Sequence, residues 1–287
     1  MLERWARPLS RLWNGTAGVV DAFFRVLGRP GKLFQDFLNG SWLGHSVHPV
    51  VVDVVVGGST VALLLQLLAW LNVADVRTAL VWTVALTWLA GLSAIVTGLT
   101  DFKDTASGDE RNVVGLHGLI NIVATLALVG AFAALLVEAD GLAGWLIVAG
   151  FLILSLGAFI GGHVVFKYGY MVNRNAFTRG RKAKEFTAVL PVANLADATP
   201  TPAMLGTTAL VVVRRGDLVY ALKDTCSHAG GLLSKGHLAG DTIVCPLHAS
   251  AFRLRDGSVR HGPAATRQVA YRARVNGDQV EVQGPID

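Results

Sequence analysis

The chain has 287 residues, of which 52% are apolar and only 16% are charged, and its formal net charge is +5. A typical soluble domain has roughly 25% charged residues, so this composition indicates a membrane protein or a membrane segment joined to a soluble domain. The 2 cysteines allow one disulfide at most, which excludes a disulfide-rich scaffold, and the apolar composition excludes a disordered chain.

The N-terminal 41 residues combine basic side chains with aromatic ones, which is not the pattern of a cleavable signal peptide. We expect residues 1–41 to form a basic amphipathic segment that lies on the membrane surface. A disordered tail is the alternative. The basic residues of the segment are Arg4, Arg7, Arg11, Arg25, Arg29 and Lys32.

Four stretches without Asp, Glu, Lys or Arg follow, and they contain 21, 23, 26 and 26 residues. A helix needs about 20 residues to cross a hydrocarbon core of about 30 Å, so each stretch is long enough. No proline between Pro49 and Pro191 interrupts them. A soluble bundle would instead show a polar face at helical spacing. We predict a four-span domain at residues 42–172, with transmembrane helices near 52–72, 79–99, 113–136 and 143–166.

The basic residues outside the spans predict the topology. With four spans, both termini and the central loop share one side, and the opposite loops at 73–78 and 137–142 hold only Arg77 as a basic residue. The positive-inside rule therefore predicts a plasma-membrane protein with both termini cytoplasmic. A basic collar beside anionic lipid also explains the net charge, so no nucleic-acid partner is expected. Beyond the N-terminal segment, this collar comprises Lys103, Arg111, Lys167, Arg174, Arg179, Arg181, Lys182 and Lys184.

The character of the chain changes after Lys167. Residues 173–184 are polar and basic, as expected of a linker, and residues 185–287 alternate short β-branched runs with turn residues. Asn276-Gly277 stands between two such runs and indicates a hairpin. The predicted fold is therefore an all-α four-helix transmembrane bundle followed by an all-β domain.

Both cysteines of the chain fall in one pattern within the β domain. Cys226-Ser227-His228 is followed by Cys245-Pro246-Leu247-His248. Two thiolates and two imidazoles presented from two loops suit a tetrahedral metal ion or an iron–sulfur cluster. A structural zinc site needs the same atoms, so the residue types alone leave zinc open.

These two boxes, together with the later Gly262-Pro263-Ala264, resemble the Rieske iron–sulfur domain over about 100 residues. The resemblance implies an antiparallel β-sandwich that holds a [2Fe–2S] cluster between two loops, with the loop at Pro263 covering it. It also implies that one iron is bound by the two cysteines and the other by the two histidines. The implied ligands are Cys226, His228, Cys245 and His248.

The sequence departs from the quinol-oxidising Rieske proteins, which usually carry two further cysteines that bridge the cluster loops. The corresponding places include Gly231 and Leu247, so the domain is similar to the ferredoxin type that serves oxygenases. Ser250 is expected to donate a hydrogen bond that raises the cluster potential, or to be a plain turn hydroxyl. His237 and His261 lie off the ligand pattern and are expected at the surface.

A second group of titratable residues is expected at the cytoplasmic end of the bundle, because polar groups in a bilayer face the bundle interior. A haem b or another metal between His117 and His163 is one prediction. Structural histidines, or a quinone or proton site, are the alternatives. The residues of this possible second site are His45, His48, Asp53, Asp101, His117 and His163.

Three segments of the bundle, at residues 44–53, 97–101 and 161–169, resemble a bacterial four-span membrane domain of unknown function. The resemblance covers roughly residues 42–172 and implies a fold and a topology only.

The sequence as a whole predicts an electron-transfer component rather than a complete enzyme, because no nucleophile or base accompanies the metal boxes. We expect a membrane-anchored Rieske protein that carries single electrons between a cytoplasmic donor and a membrane partner. That partner is a quinone, a haem or an oxygenase component. The alternative is a redox-sensing or redox-gated membrane protein or transporter, in which the state of the cluster biases the bundle.

Overall fold

The computed structural model describes residues 2–178 and 182–286, so Arg179 and Arg181 of the predicted basic collar lie outside the described residues. The chain forms two compact units. One consists of Met1–Gly31 and Val47–Tyr170, and the other of Lys32–Ser46 and Met171–Asp287. The first is helical and the second is largely β-structure, which confirms the predicted fold class.

Three short helices precede the bundle: α1 (Leu2–Ala6), α2 (Ser10–Val26) and α3 (Gly28–Asn39). Helices α1 and α2 belong to the first unit and pack against its long helices. Trp13 of α2 is buried, and its ring fills the space left by Gly115, where an added Cβ atom would lie 2.4 Å from the indole.

Four long helices make up the rest of the first unit, and each is long and apolar enough to cross a membrane. Each helix begins before its charge-free stretch, because the polar or charged residues that precede the stretch are also helical. Pro49 is accommodated in a first helical turn, where no backbone N–H bond is lost. The helices are α4 (Val47–Trp70), α5 (Arg77–Phe102), α6 (Asp109–Leu136) and α7 (Asp140–Tyr168).

The bundle consists of two similar helical hairpins, α4–α5 and α6–α7. Buried positions of α4 lie a fixed number of residues before buried positions of α6. Buried positions of α5 lie a fixed, slightly smaller number of residues before those of α7. Equivalent positions therefore occupy equivalent places in the two hairpins. The buried pairs are Val55 and Ala124, Ser59 and Leu128, Ala62 and Ala131 in the first helices, and Leu80 and Ala143, Val84 and Ile147, Gly91 and Leu154 in the second.

The second unit contains two antiparallel sheets. The six-stranded sheet has the order β1-β10-β9-β4-β3-β2, and the four-stranded sheet has the order β5-β6-β7-β8. The strands are β1 (Ala183–Pro191), β2 (Thr201–Leu205), β3 (Thr208–Arg215), β4 (Leu218–Lys223), β5 (His237–Ala239), β6 (Thr242–Val244), β7 (Ala251–Arg253), β8 (Val259–His261), β9 (Ala270–Asn276) and β10 (Gln279–Ile286).

The hairpin expected at Asn276-Gly277 joins β9 to β10, where Asn276 pairs with Gln279. Between the sheets, a buried apolar cluster built around Ile243 and Phe252 also contains both cysteines. The metal boxes therefore lie on loops whose bases are fixed in the hydrophobic core.

Candidate metal centre

The two metal boxes lie on loops with the same backbone pattern. The first box follows β4, and the second connects β6 to β7. The N–H of Cys226 donates to the carbonyl of Gly231 at 2.8 Å, and the N–H of Cys245 donates to the carbonyl of Ser250 at 2.8 Å. Each cysteine thus begins a closed turn of the same size, and the two turns present the box residues in the same way.

The two cysteine side chains are buried and form a hydrogen-bonded pair. The Cys226 thiol donates to the sulfur of Cys245, and this hydrogen bond raises the pKa of Cys226 and lowers the pKa of Cys245. The N–H groups of Leu247 and His248 also donate to the Cys245 sulfur. Such donors stabilise a thiolate, which is the form that binds metal.

The two histidines form the second pair. The Nδ1 atoms of His228 and His248 lie 3.3 Å apart, and the ring centroids are 5.1 Å apart at an interplanar angle of 81°. Both Nδ1 atoms are therefore directed at the same place, which leaves Nε2 as the outer nitrogen of each ring. This is the arrangement that two imidazole ligands of one metal atom require.

The donor set fits a binuclear cluster, because it is divided into one pair of thiols and one pair of imidazoles. Among the residues that the structure describes, no three or more His, Cys, Asp or Glu side chains surround a single ion position. In a Rieske cluster one iron takes two cysteines and the other takes two histidines. The pairing seen here matches that division of ligands.

A close contact joins the two box loops where the quinol-oxidising proteins have their disulfide. A Cβ atom built on Gly231 would lie 2.8 Å from Cγ of Leu247 and 2.9 Å from Sγ of Cys245. Glycine is required there because any side chain would press on the ligand sulfur. The packing of Gly231 against Leu247 therefore brings the two loops together in this protein without a covalent bridge.

Two buried polar residues hold the loops around the centre. The Ser250 hydroxyl accepts the N–H of Ala264 at 3.1 Å and so ties the second box to the loop at Pro263. Gln268 is fully buried, accepts the N–H of Ser227 at 3.1 Å, and donates to the carbonyl of Thr225 at 2.6 Å. Gln268 was not expected from the sequence, because a lone glutamine far from both boxes carries no recognisable signal.

The bundle histidine His48 packs against the neighbouring helix of its own hairpin. Its Nδ1 atom lies 3.0 Å from the carbonyl oxygen of Ala94 and 3.1 Å from Oγ1 of Thr97. The ring covers Gly98, where a Cβ atom would lie 2.9 Å from Cε1 of the imidazole. The glycine thus makes room for the histidine.

His117 repeats this arrangement in the second hairpin. Its Nδ1 atom lies 2.9 Å from the carbonyl oxygen of Gly157, and its ring covers Gly161 at 2.9 Å. In both hairpins the carbonyl is one helical turn before the glycine. Nδ1 of each histidine is therefore engaged by the backbone of the partner helix.

The other predicted bundle residues lie in different surroundings. Nε2 of His163 is 3.4 Å from a carboxylate oxygen of Glu3, Nδ1 of His45 is 2.9 Å from the carbonyl oxygen of Ser46, and Asp53 is exposed. Asp101 is buried. The structure thus brings none of the six into a group of three around one ion position within its described residues. A haem or metal between His117 and His163 stays a prediction.

Two family models match the chain, one for each unit. Residues 185–274 match the Rieske [2Fe-2S] domain. Residues 44–174 match a family described as a predicted membrane protein (DUF2231). Both resemblances found in the sequence are therefore confirmed.

Similar proteins match the β domain. The ferredoxin CarAc of Metapseudomonas resinovorans is 38% identical over 80 residues, which cover 28% of this chain and 75% of the relative. The anthranilate 1,2-dioxygenase ferredoxin subunit of Burkholderia cepacia is 33% identical over 98 residues, which cover 34% and 82%. A solved structure, the ferredoxin of carbazole 1,9a-dioxygenase from Nocardioides aromaticivorans IC177, is 31% identical with a TM-score of 0.34, and the match covers 35% of this chain and 99% of that one.

Proposed function

Because the chain belongs to the Rieske [2Fe–2S] family and carries a membrane-protein domain before its Rieske domain, we propose that it is a membrane-anchored electron carrier. Its cofactor is a [2Fe–2S] cluster, which takes up and releases one electron at a time when bound. The observation that carries the proposal is the division of the donor set into a buried cysteine pair and a facing histidine pair.

We assign one iron to Cys226 and Cys245 and the other to His228 and His248. Backbone N–H groups that donate to the cysteine sulfurs offset the negative charge of the thiolates. The outer Nε2 atoms of the histidines are the places where a proton can be held, so this chain can couple electron transfer to proton transfer.

We assign the redox partner to the oxygenase type, since both relatives named above are ferredoxins and one is a dioxygenase subunit. Leu232 follows the first box and Leu247 lies within the second, and the two residues are 46% and 55% exposed. Exposed apolar side chains next to a buried redox centre suit a brief docking contact with a partner protein. A membrane quinone or haem is the alternative acceptor.

We place both termini and the Rieske domain in the cytoplasm of a bacterial cell, on the basis of the basic residues that flank the four spans. Single cysteines at Arg77 and at Lys182 would test this in intact cells with a membrane-impermeant thiol reagent. Labelling at position 77 is expected and labelling at position 182 is not. The reverse pattern would overturn the cytoplasmic placement.

Optical and EPR spectra of the purified full-length protein test the function itself. We expect visible absorption in the oxidised state and a rhombic EPR signal that is present only after reduction with dithionite. Iron and acid-labile sulfide should be present in equal amounts. A colourless protein that contains zinc instead would contradict the assignment.

A further inference from the structure

Helix α3 precedes the bundle in the chain, yet its residues from Lys32 onwards belong to the Rieske unit. One face of the helix is buried: Gln35, Leu38 and Asn39 are between 0% and 9% exposed. Their spacing places them on one side of a helix. From Lys32 onwards, the helix is therefore an integral part of the second unit.

Asp36 attaches this helix to the loop that is expected to cover the cluster. Its carboxylate lies 2.7 Å from Nδ1 of His261 and accepts the N–H of Gly262 at 2.9 Å. On the other side of Pro263, the N–H of Ala264 donates to the hydroxyl of Ser250, which follows the second box. His261, which was expected at the surface, is largely covered, and 17% of its side chain is exposed.

The other face of α3 and the turn after it are apolar and exposed. Leu33, Phe37 and Trp42 are 62%, 55% and 62% exposed, and Phe34 is 45% exposed. Phe37 and Trp42 stack with ring centroids 5.7 Å apart and an interplanar angle of 9°, and the Trp42 indole donates to the Phe37 carbonyl. In this surface, which we call the α3 apolar face, the stacking and the hydrogen bond hold Phe37 and Trp42 together.

Chain continuity places the α3 apolar face close in sequence to a helix that can cross a membrane. The membrane helix α4 begins at Val47, only five residues after Trp42. Five residues reach at most about 18 Å, so Trp42, at the end of the face, lies within that distance of Val47. Tryptophan and phenylalanine beside a basic residue, here Lys32, are typical of helices at the boundary between headgroups and acyl chains.

We propose that the α3 apolar face is a lipid-contact surface, through which the Rieske unit is bound to the bilayer interface independently of the four spans. Asp36 then connects the lipid-bound helix to the loop at Pro263. The proposal goes beyond electron transfer and does not depend on which partner the cluster serves. It requires only that α4 crosses a membrane.

Spin labelling of the full-length protein in nanodiscs that contain anionic lipid tests the contact. The two native cysteines are buried cluster ligands, so a cysteine introduced as Phe37→Cys can be labelled selectively. Its EPR saturation should show greater accessibility to oxygen, which partitions into lipid, than to a water-soluble nickel chelate. Trp42→Cys provides a second position if the first variant folds poorly.

The matched control is Leu218→Cys, an exposed position of the six-stranded sheet that is 60% exposed. It should be more accessible to the nickel chelate. Equal nickel accessibility at positions 37 and 218 would show that the face is in water and overturn the proposal. Protection of position 37 from both reagents would show a protein contact, with a second copy or a partner, and would also overturn it. The Rieske EPR signal of the same samples reports separately on the proposed function.

Discussion

The two units of the protein each contain a pair of equivalent histidines, and the contacts of the Nδ1 atoms distinguish them. In the bundle, Nδ1 of His48 and of His117 each face a backbone carbonyl of the adjacent helix. In the Rieske unit, Nδ1 of His228 and of His248 face each other across 3.3 Å. The same side chain thus contacts a helix backbone in one region and a second imidazole in the other, where we propose that it binds iron.

The strongest test of this comparison removes a ligand of the cluster. Cys245→Ser is expected to abolish the visible absorption, the reduced-state EPR signal and the bound iron, because a neutral hydroxyl does not replace a thiolate. His237→Ala, at an exposed histidine outside the two boxes, is the control and should leave all three unchanged. Retention of the EPR signal in the serine variant would refute the ligand assignment.

Removal of the bundle histidines tests their role as clamps. His48→Ala and His117→Ala should each reduce the free energy of unfolding by about 1–3 kcal/mol. Each variant loses the hydrogen bond between the imidazole and a backbone carbonyl of the adjacent helix. Thermal unfolding in detergent measures the loss. A haem Soret band in the wild type that His117→Ala removes would instead establish the haem prediction.

The glycines under the two bundle histidines test the similarity of the hairpins. Gly98→Ala and Gly161→Ala should each cost about 1–3 kcal/mol, because the new methyl group would overlap the imidazole. Gly57→Ala and Gly162→Ala are matched controls, since nothing lies within 4 Å of a Cβ atom at either position. Unequal effects at positions 98 and 161 would show that the hairpins are not equivalent in packing.

The smallest expected effect concerns Glu3, the partner of His163 at the end of the bundle. Its hydrogen bond with Lys167 holds the pKa of the Glu3 carboxyl well below its usual value of 4.5. Because the pKa of Glu3 is lower in the folded protein than in the unfolded chain, its interaction with Lys167 stabilises the fold at pH values above 4.5. This contribution is lost as the pH falls through the pKa of the folded state. At pH 7, Glu3→Gln should therefore weaken the attachment of α1 by no more than about 1 kcal/mol.

Proteolysis after Arg4 or Arg11 measures that attachment at pH 7. Trypsin should cleave the N-terminal helices of the Glu3→Gln variant faster than those of the wild type. Arg25→Gln, which breaks the exposed pair with Asp21 on α2, is the control and should leave the rate at these sites unchanged. An identical rate in Glu3→Gln would show that the carboxylate does not hold the helix.

Much of the fold could be predicted from local patterns. A charge-free stretch of membrane length and a turn such as Asn276-Gly277 are properties of neighbouring residues, so the sequence displays them directly. The metal boxes are equally local: each places its cysteine and histidine on one loop. These features were therefore accessible without any knowledge of long-range contacts.

The contacts that hold the site together could not be predicted in this way. Asp36 and His261 are 225 residues apart, and Gln268 lies 41 residues from Ser227. Neither pair follows from a periodic pattern. The bundle histidines show the same limit, because sequence position indicated the end of the bundle but not which group each imidazole contacts.

The sequence by itself determined the four long apolar helices, the all-β domain and the two cysteine–histidine boxes, since each depends on residue type and short-range spacing. Only the tertiary structure decided how those residues are used. It paired cysteine with cysteine and histidine with histidine, placed Gly231 under Leu247, and engaged the bundle histidines with backbone carbonyls. Ligand binding and clamping depend on which atoms lie within about 3 Å of a nitrogen or a sulfur, and folding alone sets those distances.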